Sequence, residues 1–250
     1  VVAVLSLVFM TFPLSLLETE KSGPWRMREV GGLFRQCFPL FSTLFLFNLI
    51  ESCPKFAMES MMGYDAQLYF SALFFPAQAI LLAVGFVYKP QLLRLANIWS
   101  NPRRRRRFDL IMLAVLAVVV VLTLAVIAFM GWIGIGIVSF MYGIDFTKYR
   151  MLAFLMVAAG GLTAAIDFLY QIITVLRHQD LATKPYLISF GAAIVLSIVL
   201  VRIFGLLGAV LSYLAVMALL LVLLTMQYVR IRGIISRTTG DPFARRPHYK

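Results

Sequence analysis

The chain has 250 residues, 62% hydrophobic and 14% charged, with a mean hydropathy of +0.91 and a net charge of +12. Soluble domains are about 45–50% apolar, so a water-soluble globular fold is excluded and an all-α, polytopic transmembrane bundle is expected. Two histidines and two cysteines, without metal-ligand spacing, supply no metal site or disulfide framework, and no cofactor is called for.

From the N-terminus, residues 1–17 are apolar with no basic region ahead of them, unlike a secretory signal. They read as a partial span, so the chain is expected to be a fragment entering mid-span. Residues 18–35 form a basic linker, 36–229 a transmembrane lobe and 230–250 a basic tail. Spans are placed at about 36–59, 66–88, 108–130, 151–176, 185–201 and 208–229, each near the roughly 20 apolar residues that cross about 30 Å of hydrocarbon. Together with residues 1–17 they make about seven spans. The apolar stretch 131–149 carries Gly131, Gly134, Gly136 and Gly143 and reads as a buried or interfacial loop.

Short cytoplasmic loops collect Lys and Arg. Nineteen of the 23 basic residues fall in alternate connections: Lys21 to Arg35, Lys89 to Arg107, Arg177 with Lys184, and the tail from Arg230 to Lys250. The other side holds Lys148, Arg150 and Arg202. A cytoplasmic C-terminus follows. The Arg103 to Arg107 run reads as a topology determinant contacting anionic lipid rather than nucleic acid.

The first complete span is unusual in its charges. At 100° per residue, Asn48, Glu51, Lys55 and Glu59 lie at about 0°, 300°, 340° and 20°, one sector of roughly 80°. Charges at membrane depth are costly and mark substrate or ion paths. Packing readings compete. Glu51 and Lys55, spaced i, i+4, fit a self-neutralised pair, and Glu59 sits where interfacial water would reach it.

A second polar face lies on the span at 151–176, the fifth of the seven, where Thr163, Asp167, Tyr170, Gln171 and Thr174 share one side. Ser71 and Gln78 flank Pro76 on an earlier span. Two polar faces imply a shared lumen, although Gln and hydroxyl side chains also serve as interhelical glue. Nucleophile elbows, phosphate loops and paired loop carboxylates are missing from the sequence, and an enzyme is not expected.

The run Phe38-Pro39-Leu40, then Asn48 to Lys55, Met62-Gly63-Tyr64 and Tyr69 to Leu73, resembles the first two helices of the C-terminal lobe of polysaccharide exporters. These are the O-antigen and capsule flippases of the multidrug/oligosaccharidyl-lipid/polysaccharide superfamily. Phe204-Gly205-Leu206-Leu207-Gly208-Ala209 resembles the turn before their last core helix. The resemblance covers about residues 30–230. It implies the last helix of lobe one plus a six-helix lobe two, in a bacterial inner membrane, completed by an N-terminal lobe or a second chain. It further implies transport of an undecaprenyl-pyrophosphate-linked oligosaccharide, with a possible coupling ion.

On that basis Lys55 is the expected phosphate contact, tuned by Glu51. Asn48 and Glu59 extend its wall, Asp167 and Gln171 face it as glycan or ion contacts, and Arg177 stands at the cytoplasmic mouth. The family more often has Arg where Lys55 stands, and Lys lacks the bidentate fork. The alternatives are a proton- or sodium-coupled multidrug or metabolite antiporter of the same fold, and a membrane glycan polymerase or ligase. The latter usually carries a large external loop rich in Arg and His, unlike the apolar segment 131–149.

Overall fold

The computed structural model describes residues 27–99, 105–143, 145–176 and 180–239. Two compact units are present, 1–39 and 40–250; every contact below lies within the second. The expected span at 1–17 and Arg177 fall outside the described residues.

All described regular structure is helical: α1 Met27–Met62, α2 Tyr64–Tyr88, the short α3 Leu92–Trp99, α4 Arg105–Phe129, α5 Ile135–Tyr142, α6 Arg150–Val175, α7 Asp180–Phe204 and α8 Leu206–Thr239. Five stretches are long and apolar enough to cross a membrane: Ala66–Gln91, Phe108–Tyr142, Thr147–Val175, Ala182–Phe204 and Leu206–Arg232. The chain is a multi-pass helical membrane protein. Helix α1 has the length, but Asn48, Glu51, Pro54, Lys55 and Glu59 dilute its apolar character.

The region 131–149 corrects the sequence reading. The helix does not stop at Gly131 but runs on through a π-helical segment, Met130–Gly134, into α5, making one apolar stretch from Phe108 to Tyr142. Glycine lowers helix stability by about 1 kcal/mol, whereas backbone groups left unpaired in hydrocarbon cost several kcal/mol each. Continuing the helix is the cheaper solution. It ends at Gly143, whose φ of +66° suits glycine and whose N–H donates to the Ser139 carbonyl. The turn beyond is polar: the amide and hydroxyl of Thr147 donate to Asp145 and hold its exposed carboxyl below the usual range. Phe146 is buried among Tyr69, Tyr142 and Tyr149, an aromatic cluster of the kind found at membrane interfaces.

Helix α6 is the axis of the bundle. Its apolar window is 72% buried, against 11% for the Phe108–Tyr142 stretch, and it packs on α2, α4 and α8. Without a hydrophobic drive between helices in lipid, close approach depends on small residues. A Cβ on Gly160 would lie 2.6 Å from the Ala77 Cβ on α2, and one on Gly161 would lie 2.3 Å from Thr123 Oγ1 on α4. One glycine pair thus seats two neighbours. Helices α7 and α8 pack along each other around the turn at Gly205, φ +58°. There a Cβ on Gly208 would stand 1.9 Å from the Leu200 carbonyl.

Candidate functional site

The polar stripe of α1 is divided by the fold. Asn48 and Glu59 are exposed, on the same side as Phe41 and Phe45, whereas Glu51 and Lys55 are half-buried against the bundle. Asn48 Nδ2 donates to the Leu44 carbonyl at 2.9 Å, a bond within its own helix.

The inward pair makes no close ion-pair contact among the described residues, although the Lys55 charge acts on Glu51 through space. Lys55 Nζ lies 5.0 Å from the centroid of the Phe74 ring on α2, in cation–π range. Glu51 Oε1 accepts from the Tyr213 hydroxyl on α8 at 3.3 Å. Among the described residues the ion pair present is Arg232 with Asp109, far along the chain from either. The i, i+4 spacing would allow a Glu51–Lys55 contact, but each side chain is drawn to a partner on another helix.

Tyr213 links this pair to α6. Its hydroxyl is 3.1 Å from Thr163 Oγ1, and that oxygen also lies 3.0 Å from the Ala159 carbonyl. The single Thr163 proton serves one acceptor at a time. Phe74 meets the Tyr213 ring edge-on at 5.5 Å, and Gln78 borders the same niche as Thr163 and Tyr213. Glu51, Lys55, Phe74, Thr163 and Tyr213 therefore form one cluster drawn from four helices. Ser71, by contrast, is exposed.

Asp167 belongs to a second group. It accepts a hydrogen bond from the hydroxyl of Tyr88, at the end of α2. The Tyr88 ring packs edge-on against Phe168 at 5.4 Å. One turn on, Tyr170 meets Tyr186 of α7 edge-on at 5.9 Å, and Tyr186 in turn meets Phe47 of α1. Gln171 is half-buried beside this group. The polar face of α6 is thus shared out: Thr163 joins the Glu51 cluster, and Asp167 is engaged by Tyr88.

Tyr213, Tyr88 and Phe74 were not among the residues marked by sequence. Each stands within an apolar run, where an aromatic residue signals packing as readily as hydrogen bonding. Their roles come from partners 162 and 79 residues away for the two tyrosines. Groups of three or more His, Cys, Asp or Glu residues able to hold a metal are absent among the described residues.

Chemically, the cluster offers a cation on an aromatic face beside a carboxylate that is already hydrogen-bonded. Such a cation is free to attract an anion without first breaking an ion pair. No protein-family profile, curated protein or solved structure matches the chain.

Proposed function

We propose that this chain is the C-terminal lobe of a flippase that moves an undecaprenyl-pyrophosphate-linked oligosaccharide across a bacterial plasma membrane for surface polysaccharide synthesis. The observation that carries the reading is Lys55: a cation within an apolar bundle, held on Phe74 and outside ion-pair contact with Glu51. A charge so placed needs a function to offset its desolvation, and a pyrophosphate is a substrate that a point-charge lysine recognises. The exposed Asn48 and Glu59 continue the polar wall toward the second lobe or chain that this reading requires. Arg at position 55, more usual in the resembling exporters, would serve the same attraction.

The antiporter alternative gains nothing from this cation when its cargo is itself cationic. The test is carried out in cells whose surface glycan depends on the full-length parent. Lys55→Glu should abolish surface polysaccharide while the protein inserts and accumulates normally, and Lys55→Arg should retain it. Normal surface glycan in Lys55→Glu overturns the reading, and loss of dye efflux in its place favours the antiporter.

A further inference from the structure

Helices α1 and α7 do not close against each other along their whole length. Between them lies a cavity of about 330 Å³, walled by Leu49, Cys53 and Phe56 of α1 and by Phe190, Ile194 and Ser197 of α7. Phe56 and Ile194 are themselves exposed, so the cavity opens sideways, toward the space that a lipid fills around a membrane helix. A second cavity, of about 410 Å³, follows at the ends of the same two helices, walled by Met61, Met62, Val201, Arg202 and Gly205.

The two cavities differ in character along one seam. The deeper one is apolar, and its α1 wall from Leu49 to Ser60 rises about 16 Å at 1.5 Å per residue. That matches one leaflet, half of a hydrocarbon core about 30 Å thick. The outer one brings in a cation. Arg202 stands about 6 Å, or four residues of helical rise, beyond Ile198, the last α7 residue of the deep cavity, near the end of the Ala182–Phe204 span. It is exposed and forms no ion pair among the described residues. In the wall of the deep cavity, at its Arg202 end, Ser197 is buried, and its hydroxyl has no hydrogen-bond partner among the described residues.

We propose that this seam binds one anionic glycerophospholipid of the leaflet at that end of the bundle. The phosphate pairs with Arg202, an acyl chain lies in the α1–α7 cavity, and the ester region passes the unused Ser197 hydroxyl. Charge and depth together select this occupant. A free phosphate would leave the apolar cavity unfilled, and a neutral apolar chain would leave Arg202 without a counter-ion. The site lies on a different flank of α1 from Lys55, and it does not depend on the transport reading.

The test uses the full chain in detergent with Cys37→Ser, which leaves Cys53 in the cavity wall as the single thiol. Phosphatidylglycerol and phosphatidylcholine of matched chains, dihexanoyl-phosphatidylglycerol and inorganic phosphate are added in turn. Binding is read by native mass spectrometry and by the rate at which N-ethylmaleimide alkylates Cys53. Long-chain phosphatidylglycerol should be retained at one per chain and should slow alkylation, whereas the short-chain lipid and phosphate should do neither. Arg202→Gln, at an exposed position, should weaken retention about fivefold, the effect of one basic residue at a lipid surface. Ile194→Trp, which fills the cavity, should abolish protection of Cys53, and Lys148→Gln should change nothing. Equal retention of phosphatidylcholine, or unchanged retention by Arg202→Gln, overturns the proposal and leaves Arg202 as a side chain that reaches the interface for hydration alone. Because the short-chain lipid varies the ligand and not the protein, its protecting Cys53 as well as the long-chain lipid would overturn the proposal even if Ile194→Trp fails to fold.

Discussion

The hydroxyl of Tyr213 donates to Glu51 at 3.3 Å, joining the first described helix to the last across 162 residues of sequence. Because Thr163 sits on the other side of the same hydroxyl at 3.1 Å, the three side chains tie α1, α6 and α8 at one level of the bundle. Removing the hydroxyl should therefore be felt on both sides. Tyr213→Phe is expected to lower stability by about 0.5–1.5 kcal/mol, within the range measured for interhelical hydrogen bonds in membranes. Thermal unfolding in detergent checks the size, and a double-mutant cycle with Glu51→Leu checks the link. Strictly additive effects would mean that the two groups are not coupled.

Lys55 allows a demand of stability to be separated from the transport role proposed for it. A cation inside an apolar bundle is destabilising unless it is well compensated, and here it is compensated by the Phe74 ring and by the charge of Glu51 one turn away. Lys55→Met should leave unfolding unchanged or raise the midpoint, while glycan export is lost. Phe74→Leu removes the ring and should destabilise by about 0.5–2 kcal/mol, a typical cation–π range, while Phe74→Trp should not. A Lys55→Met protein that is strongly destabilised would show Lys55 to be a structural element.

The Gly160–Gly161 pair gives a packing test independent of function. A Cβ at position 160 meets Ala77 side chain and backbone at 2.6–2.9 Å, so Gly160→Ala should cost about 1–3 kcal/mol by overpacking. Ala77→Gly should restore only part of that, because the backbone contacts persist. Gly161→Ala meets only the side chain of Thr123, and Thr123→Ala should rescue it almost fully. The ranking is read from unfolding midpoints of the four variants. Full rescue at 160 together with none at 161 would contradict the geometry.

Most of the helices were legible in the sequence because apolar length is a local property. The stretches expected at 66–88, 151–176, 185–201 and 208–229 correspond to α2, α6, α7 and α8, with ends shifted by up to five residues, except that α8 runs on ten residues beyond 229 to Thr239. The stretch after Gly131 departs from a reading by the rules of water, because glycines that would end a helix in solvent are absorbed at Met130–Gly134 by a π-helical segment. The short α3, Leu92–Trp99, was not expected, since its eight residues fall well below the length of a span.

The candidate site divides along the same line. A period of 100° per residue determines which side chains share a helix face, and it grouped Asn48, Glu51, Lys55 and Glu59 on α1 and Thr163 with Asp167 on α6. It carries no information about what that face meets. Only the packing of α1 against α2 and α8 decided that Lys55 rests on Phe74 and that Tyr213 takes Glu51, while Asn48 and Glu59 remain exposed. Only the meeting of α2 and α6 gave Asp167 to Tyr88. Membrane class and the approximate positions of the long apolar helices follow from hydrophobicity summed along the chain. Partner choice follows from which long-range neighbour satisfies a buried charge best, and that is settled in three dimensions.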